Sequence, residues 1–348
     1  MSSTLQIGLA VAGGAVLAAI VAHSAWSSRR NAPRRPDPVV PVEPSTELEP
    51  RLEGEERLEP AFDDNSLALP AAPERRAVLD PLIDVVAPIV LDAPVSGDAV
   101  LAALPATRRV GSKPFAVEGR DATSGQWEAP LAGHRYDALQ AGVQLANRTG
   151  ALNEIEFSEF VMKTQAFSDA MNGAPEFPDM REEVNRAREL DQFASSHDAQ
   201  LSFTLHARNA AWSPGYLQQH AVRAGFALGL IPGRMVLPSP TPGLPSLLGL
   251  SFDAQAALAE DPDQAAIRSV TLTLDVAQVE RAEQPFVRMR EAAIALAEAM
   301  DGVITDDEAR PLTRETMDVI GSELEHLYDT LEARDLAAGS VLARRLFS

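Results

Sequence analysis

Apolar and polar positions divide the 348-residue chain into three stretches of different rhythm. Residues 5–26, LQIGLAVAGGAVLAAIVAHSAW, contain no Asp, Glu, Lys or Arg. At ~1.5 Å rise per residue a helix of that length crosses a hydrocarbon core of roughly 30 Å, and a helix satisfies its own backbone in lipid. Between residues 27 and 78 the periodicity disappears. Prolines recur from Pro33 to Pro73 and acidic residues fill the intervals, as in ELEPRLEGEERLEP. Such a composition buries too little apolar area to offset chain ordering, so it predicts an extended, disordered linker. Beyond residue 79, period-2 and helical patterns alternate to the end of the chain.

Within residues 79–197 the pattern predicts a strand over LIDVVAPIVL, where Pro88 suggests an edge or bulge. A short helix follows from Ser96 or Asp98, then strands over PFAVEGRD and YDALQAGVQLAN and two helices. Residues 198–335 repeat the opening. LSFTLHA reads as a strand, and SPGYLQQHAVRAG as a helix capped by Ser213 with Pro214 at its first position. Strands follow over Arg234 to Leu237, SLLGLSFD and SVTLTLDV. EQPFVRMREAAIALAEAMDG is a helix and GVITDDEARPLT a short strand and turn. Thr313 caps a long amphipathic helix, and residues 336–348 form a tail read as a frayed helix end, with a short peptide handle for a partner or membrane as the alternative.

The stretch VVAPIVLDAPVSGDAVLAALPATRRVGSKPFAVEGR lies well over FTLHARNAAWSPGYLQQHAVRAGFALGLIPGRMVLP. The predicted class is α+β. Residues 1–4 form a short non-cytoplasmic N-terminus, 5–26 a transmembrane helix and 27–78 the linker. Two split βαβ-like units over 79–197 and 198–335 follow, each an antiparallel sheet with helices on one face.

Charge orients the anchor. Trp26 suits a membrane interface, and Arg29, Arg30, Arg34 and Arg35 follow it, whereas no basic residue precedes the span. The positive-inside rule puts everything after the span in the cytoplasm, and the same asymmetry argues against a cleaved signal peptide. Gly8, Ala12, Gly13, Gly14 and Ala18 are of the kind that lets two spans pack, although single spans commonly tolerate them, so a homo-oligomer has no firmer support. The formal net charge of −20 makes a nucleic-acid partner unsuited to the soluble part, which a phosphate backbone repels.

Catalytic chemistry finds no foothold. With no Cys, thiol catalysis, disulfides and Cys-bound metal are excluded. The six His residues have no metal-ligand spacing, and nucleotide-binding and hydrolase motifs are absent, so no cofactor, metal or catalytic residue is expected. Asp306, Asp307 and Glu308 read as a solvated turn rather than an ion site.

Together the anchor, the acidic Pro-rich linker and the second unit resemble the ZipA family. The closest stretches are AGFALG, VTLTLDV and GVITDDEARPLTRETMDVIGSELE. The resemblance implies a bacterial inner-membrane, single-pass division protein at the septum, whose open sheet face holds the C-terminal tail of FtsZ. Strand alternation places Ser202, Thr204, His206, Thr271, Thr273 and Asp275 on that face. Met235, Leu237, Leu248, Leu250 and Phe252 are the candidate apolar contacts, pending a register that a one-residue slip would reverse. The rival expectation is a membrane-anchored sensor that binds a small molecule between two paired units.

Overall fold

The computed structural model describes residues 33–36, 79–261 and 265–348. The expected anchor over 5–26, its flank Trp26, Arg29 and Arg30, and nearly all of the expected linker lie outside the described residues. Among the described residues no helix is long and apolar enough to cross a membrane. Two compact units form, one on residues 79–196 and the other on 197–347 together with residues 33–36. Both are mixed α+β units with antiparallel sheets.

The first unit runs β1 (Asp84–Leu91), α1 (Gly97–Ala103), β2 (Lys113–Asp121), β3 (Arg135–Gln144), α2 (Glu154–Ala170), β4 (Gly173–Pro175) and α3 (Met180–His197). Its main strands lie in the order β2-β3-β1-β4, each antiparallel to its neighbour. β3 and β4 therefore run parallel with β1 between them, joined through α2, which is the split βαβ arrangement. Alternation explains β1: Val85, Ala87 and Ile89 are buried while Pro88 and Val90 are exposed. Pro88 is not at an edge, because β1 is flanked on both sides. Its carbonyl accepts from Glu176 N at 2.9 Å, so its main chain points past the end of the short β4, where no ladder donor is needed. Asn153 starts α2 with a capping box: its side chain accepts from Ile155 N and Glu156 N, and Glu156 reaches back to Asn153 N.

The second unit runs β5 (Gln200–Ala207), α4 (Pro214–Arg223), β6 (Ala227–Leu228), β7 (Arg234–Leu237), β8 (Leu248–Ser251), β9 (Ser269–Asp275), α5 (Pro285–Met300), β10 (Gly302–Thr305), α6 (Arg314–Glu332) and α7 (Val341–Leu346). The sheet order is β6-β7-β8-β9-β5-β10, antiparallel throughout. β9 and β10 are thus parallel around β5 and joined by α5, the same split βαβ connection as in the first unit. Ser213 and Thr313 cap α4 and α6 through Tyr216 N and Thr316 N, each at 3.2 Å.

α5 covers one face of this sheet. Phe203, Leu205, Val270, Leu272 and Leu274 are buried beneath Phe286, Met289, Ala293 and Leu296. The rings of Phe203 and Phe286 meet edge to face at 6.1 Å. Each such side chain contributes about 1.5–3 kcal/mol when fully buried, so this face defines the unit's core. The C-terminal residues are folded rather than frayed. Gln278 Nε2 donates to the carbonyls of Phe347 at 2.8 Å and Arg344 at 3.3 Å, and Gly339 N donates to Ala277 O at 2.9 Å.

Candidate functional site

On the second sheet's other face, opposite α5, the ladder register places the side chains in rows across the strands. One row is Ala227, Val236, Gly249, Thr273 and Ser202. The next is Arg234, Ser251, Thr271, Thr204 and Thr305. A third pairs Ser269, His206 and Val303. The centre is rich in hydroxyls: Thr204 and Thr271 approach through their Oγ1 atoms at 3.3 Å, and Ser202 Oγ donates to Asp307. Gly249, with no side chain, lets the Thr273 hydroxyl lie over it: a Cβ there would meet Thr273 Oγ1 at 2.5 Å.

This register puts Ser202, Thr204, His206, Thr271, Thr273 and Asp275 on one side, the side alternation assigns them. It corrects the apolar candidates. Met235, Leu248 and Leu250 are 1–2% exposed and face the core, and Leu237 pairs with Leu248 on that same side. Phe252 lies one residue beyond β8 and is half-buried. The physical reason is the ladder: Leu250 sits opposite Leu272, and Leu272 points to α5.

The apolar surface lies instead at the sheet's outer edge. Leu228, Leu230 and Ile231, in the hairpin between β6 and β7, are 65%, 105% and 57% exposed. Sequence reasoning passed over these residues as the lead into a strand. Their signal was an apolar run, ALGLI, held between Gly225 and Gly233, both at positive φ. A two-residue edge strand rimmed by exposed aliphatic side chains suits strand addition by an extended peptide.

Arg34 is likewise not where its sequence neighbourhood suggests. Expected beside lipid, it is bonded to the second unit: its N–H donates to Ala211 O at 2.7 Å and its carbonyl accepts from Ser213 N at 2.9 Å. Its guanidinium donates to Asp301 Oδ2 at 3.0 Å and to Met300 O at 3.3 Å. Arg35 is exposed. Asp301 is held below its ordinary range, first by the hydrogen bond from Asn209, against burial, with the charges of Arg34 and Arg208 adding to the effect.

On the helical side of the second unit, a cleft of about 380 Å³ opens between α5 and α6. Phe286, Met317, Leu324 and Tyr328 line it, with Arg281 and Arg290 beside them. Arg281 bonds Glu325 and Asp329 and stands 5.6 Å from the Tyr328 ring centre. Burial pushes the Tyr328 phenol up to about 12, and its hydroxyl has no hydrogen-bond partner.

In the first unit the only described group able to offer three metal-ligand atoms is Asp121, Glu128 and His134. His134 Nδ1 lies 2.7 Å from Glu128 Oε1 and 3.4 Å from Asp121 Oδ2, within reach of both carboxylates. Thr123 N and Ser124 N bond the other Asp121 oxygen, and the Tyr136 hydroxyl bonds Glu128. The turn at Asp306 is tied locally: Asp306 accepts from Arg310 N, Glu308 N and Arg310 Nε, which hold it below the usual carboxylate range.

Residues 258–323, which include β9, α5, β10 and the start of α6, match the family model described as ZipA, C-terminal FtsZ-binding domain. The chain is ZipA-like over this segment. The matched segment includes β9, the strand at the centre of the hydroxyl-rich face, and the model it matches is that of a binding domain. No curated protein matches the chain. Among solved structures, berberine bridge enzyme from Eschscholzia californica aligns at 11% identity over 76% of this chain and 54% of its own, with a TM-score of 0.17. The chain thus spans about half of that structure, and a likeness this slight bears on neither fold nor function.

Proposed function

We propose that this chain is a division adaptor, whose second unit binds the C-terminal tail of FtsZ and whose N-terminal span over 5–26 holds it in the bacterial inner membrane. The family match over 258–323 supports this reading, because those residues build β9 and β10 of the second sheet. The tail docks on that face, with Ser202, Thr204, His206, Thr271, Thr273 and Asp275 as polar contacts. Leu230 and Ile231 supply the apolar contacts at the outer edge, with Leu228, opposite Met235 in the ladder, on the rim of that edge. Polymers present many tails, so a weak single contact suffices once anchored copies gather along a filament.

On this reading the anchor faces outward at residues 1–4, and the units lie on the cytoplasmic side at the septum. The shared split βαβ connection favours descent of both units from one duplicated ancestor. The direct test is titration of the full chain with an FtsZ tail peptide. Saturable binding at micromolar concentrations supports the adaptor, and no binding at high micromolar peptide to a folded chain sinks it.

A further inference from the structure

The contact made by residues 33–36 has the form of a built binding site rather than a chance touch. On the second unit, Trp212 is fully buried and bridges Ile267 on one side, exchanging N–H···O bonds of 2.8 Å in both directions. Arg34 bridges the same residue in parallel on the other side, so the docked segment lies alongside it in the manner of an added strand, through one isolated bridge. The arginine side chain then reaches the C-terminal end of α5. There the Met300 carbonyl, which also accepts from Trp212 Nε1 at 2.8 Å, and the Asp301 carboxylate offer two acceptors. A helix C-terminus and a carboxylate both favour a cation, and a guanidinium serves two acceptors at once. Asp301 itself is fixed by Asn209 Nδ2 at 3.0 Å and sits at positive φ, the left-handed cap that turns its carboxylate toward the site.

We infer that the groove between Ala211–Ser213 and Asp301 is a binding site for an extended, arginine-bearing segment, and that its resident ligand is the chain's own residues 33–36. The site acts as a latch. With the latch closed, only seven residues lie between Trp26 and the docked Arg34, eight Cα steps that span at most about 28 Å in extended chain. The second unit is then held at the membrane surface. With the latch open, residues 37–78 and the first unit are added to the tether. The membrane consequence rests on the anchor proposed above; the latch itself does not.

The test uses the full chain, with Arg34→Glu to set like charge against Asp301, Arg34→Lys as the conservative variant, and Asp301→Asn on the site side. Hydrogen exchange at the Ser213 amide, whose acceptor is the Arg34 carbonyl, reads the latch directly. The inference expects exchange at least tenfold faster in Arg34→Glu, an intermediate rate in Arg34→Lys, and an unchanged melting temperature, since Arg34 lies outside the unit's core. Equal Ser213 protection in wild type and Arg34→Glu overturns it. Protection that falls on dilution of the wild type also overturns it, by showing that a second copy supplies the segment.

For the membrane arm, the chain has no cysteine, so Glu291→Cys gives a single labelling site. In liposomes holding a lipid acceptor dye, energy transfer should drop on Arg34→Glu. Loss of liposome flotation with the Ser213 difference intact would reject the anchor and keep the latch.

Discussion

Replacing Leu230 with alanine separates a docking surface from a merely exposed side chain. Leu230 is 105% exposed, so the folded chain loses no packing when it is shortened, and the melting temperature should stay within about a degree. Its contribution to a bound peptide follows from the atoms removed. Leu→Ala deletes three carbons, worth about 0.8 kcal/mol each at full burial and about 1.2 kcal/mol in total at half burial in a shallow contact. That is roughly an eightfold rise in Kd. Leu228→Ala and Ile231→Ala, starting at 65% and 57% exposure, should cost somewhat less, because part of each side chain already rests on the fold. Fluorescence anisotropy of a labelled FtsZ tail peptide against each full-length variant gives the numbers, with calorimetry confirming the fold. An unchanged Kd in all three variants, beside a measurable wild-type affinity, would refute the assignment of apolar contacts to this hairpin.

Two further predictions concern the body of the protein. A methyl group at Gly119 would overlap the ring of the fully buried Tyr136, whose hydroxyl bonds Glu128 and accepts from Leu131 N. Gly119→Ala should therefore destabilise the first unit by about 1–3 kcal/mol, and a melting curve without loss in the first unit's transition would contradict that. Tyr328→Phe removes a buried hydroxyl that has no partner, so at neutral pH the variant should be as stable as wild type or up to about 1 kcal/mol more stable. The folded phenol titrates near 12 against an ordinary 10.0, so its stability contribution is intact below pH 10 and lost as pH rises from 10 toward 12. Urea titrations at pH 8 and 11 should show the variant's advantage widening by on the order of 1 kcal/mol, and a constant difference would refute the shift.

The strand faces were readable where strands are long. SVTLTLDV alternates over seven residues, and its burial follows that alternation without exception from Val270 to Leu274. β7 and β8 have four residues each, only two per face, and periodicity alone does not choose a side for so short a run. Met235, Leu248 and Leu250 were settled only by their ladder partners, with Leu250 opposite Leu272.

Caps were local and therefore legible: Ser213 and Thr313 bond amides three residues ahead. Contacts across the chain were not. Arg34 sits in an arginine cluster that reads as a membrane flank, and nothing near it in sequence points to Asp301, 267 positions away. Asp121, Glu128 and His134 escaped the search for metal spacing for a related reason, since hairpin pairing of β2 and β3 gathers them rather than a motif. Pro88 misled because a proline's tolerance in a sheet depends on which side its main chain points, and that depends on the length of the neighbouring strand.

On the proposed reading, the second unit's hydroxyl-rich sheet face and its edge hairpin hold the FtsZ tail. Amide chemical-shift mapping on the isotope-labelled full chain, titrated with the tail peptide, tests it most directly. Saturable shifts are expected at Leu228–Ile231, Val236, Gly249 and Thr271–Thr273, with the amides of α5 and α6 left unmoved. Shifts confined to the cleft between α5 and α6, or no shifts at millimolar peptide, would contradict it.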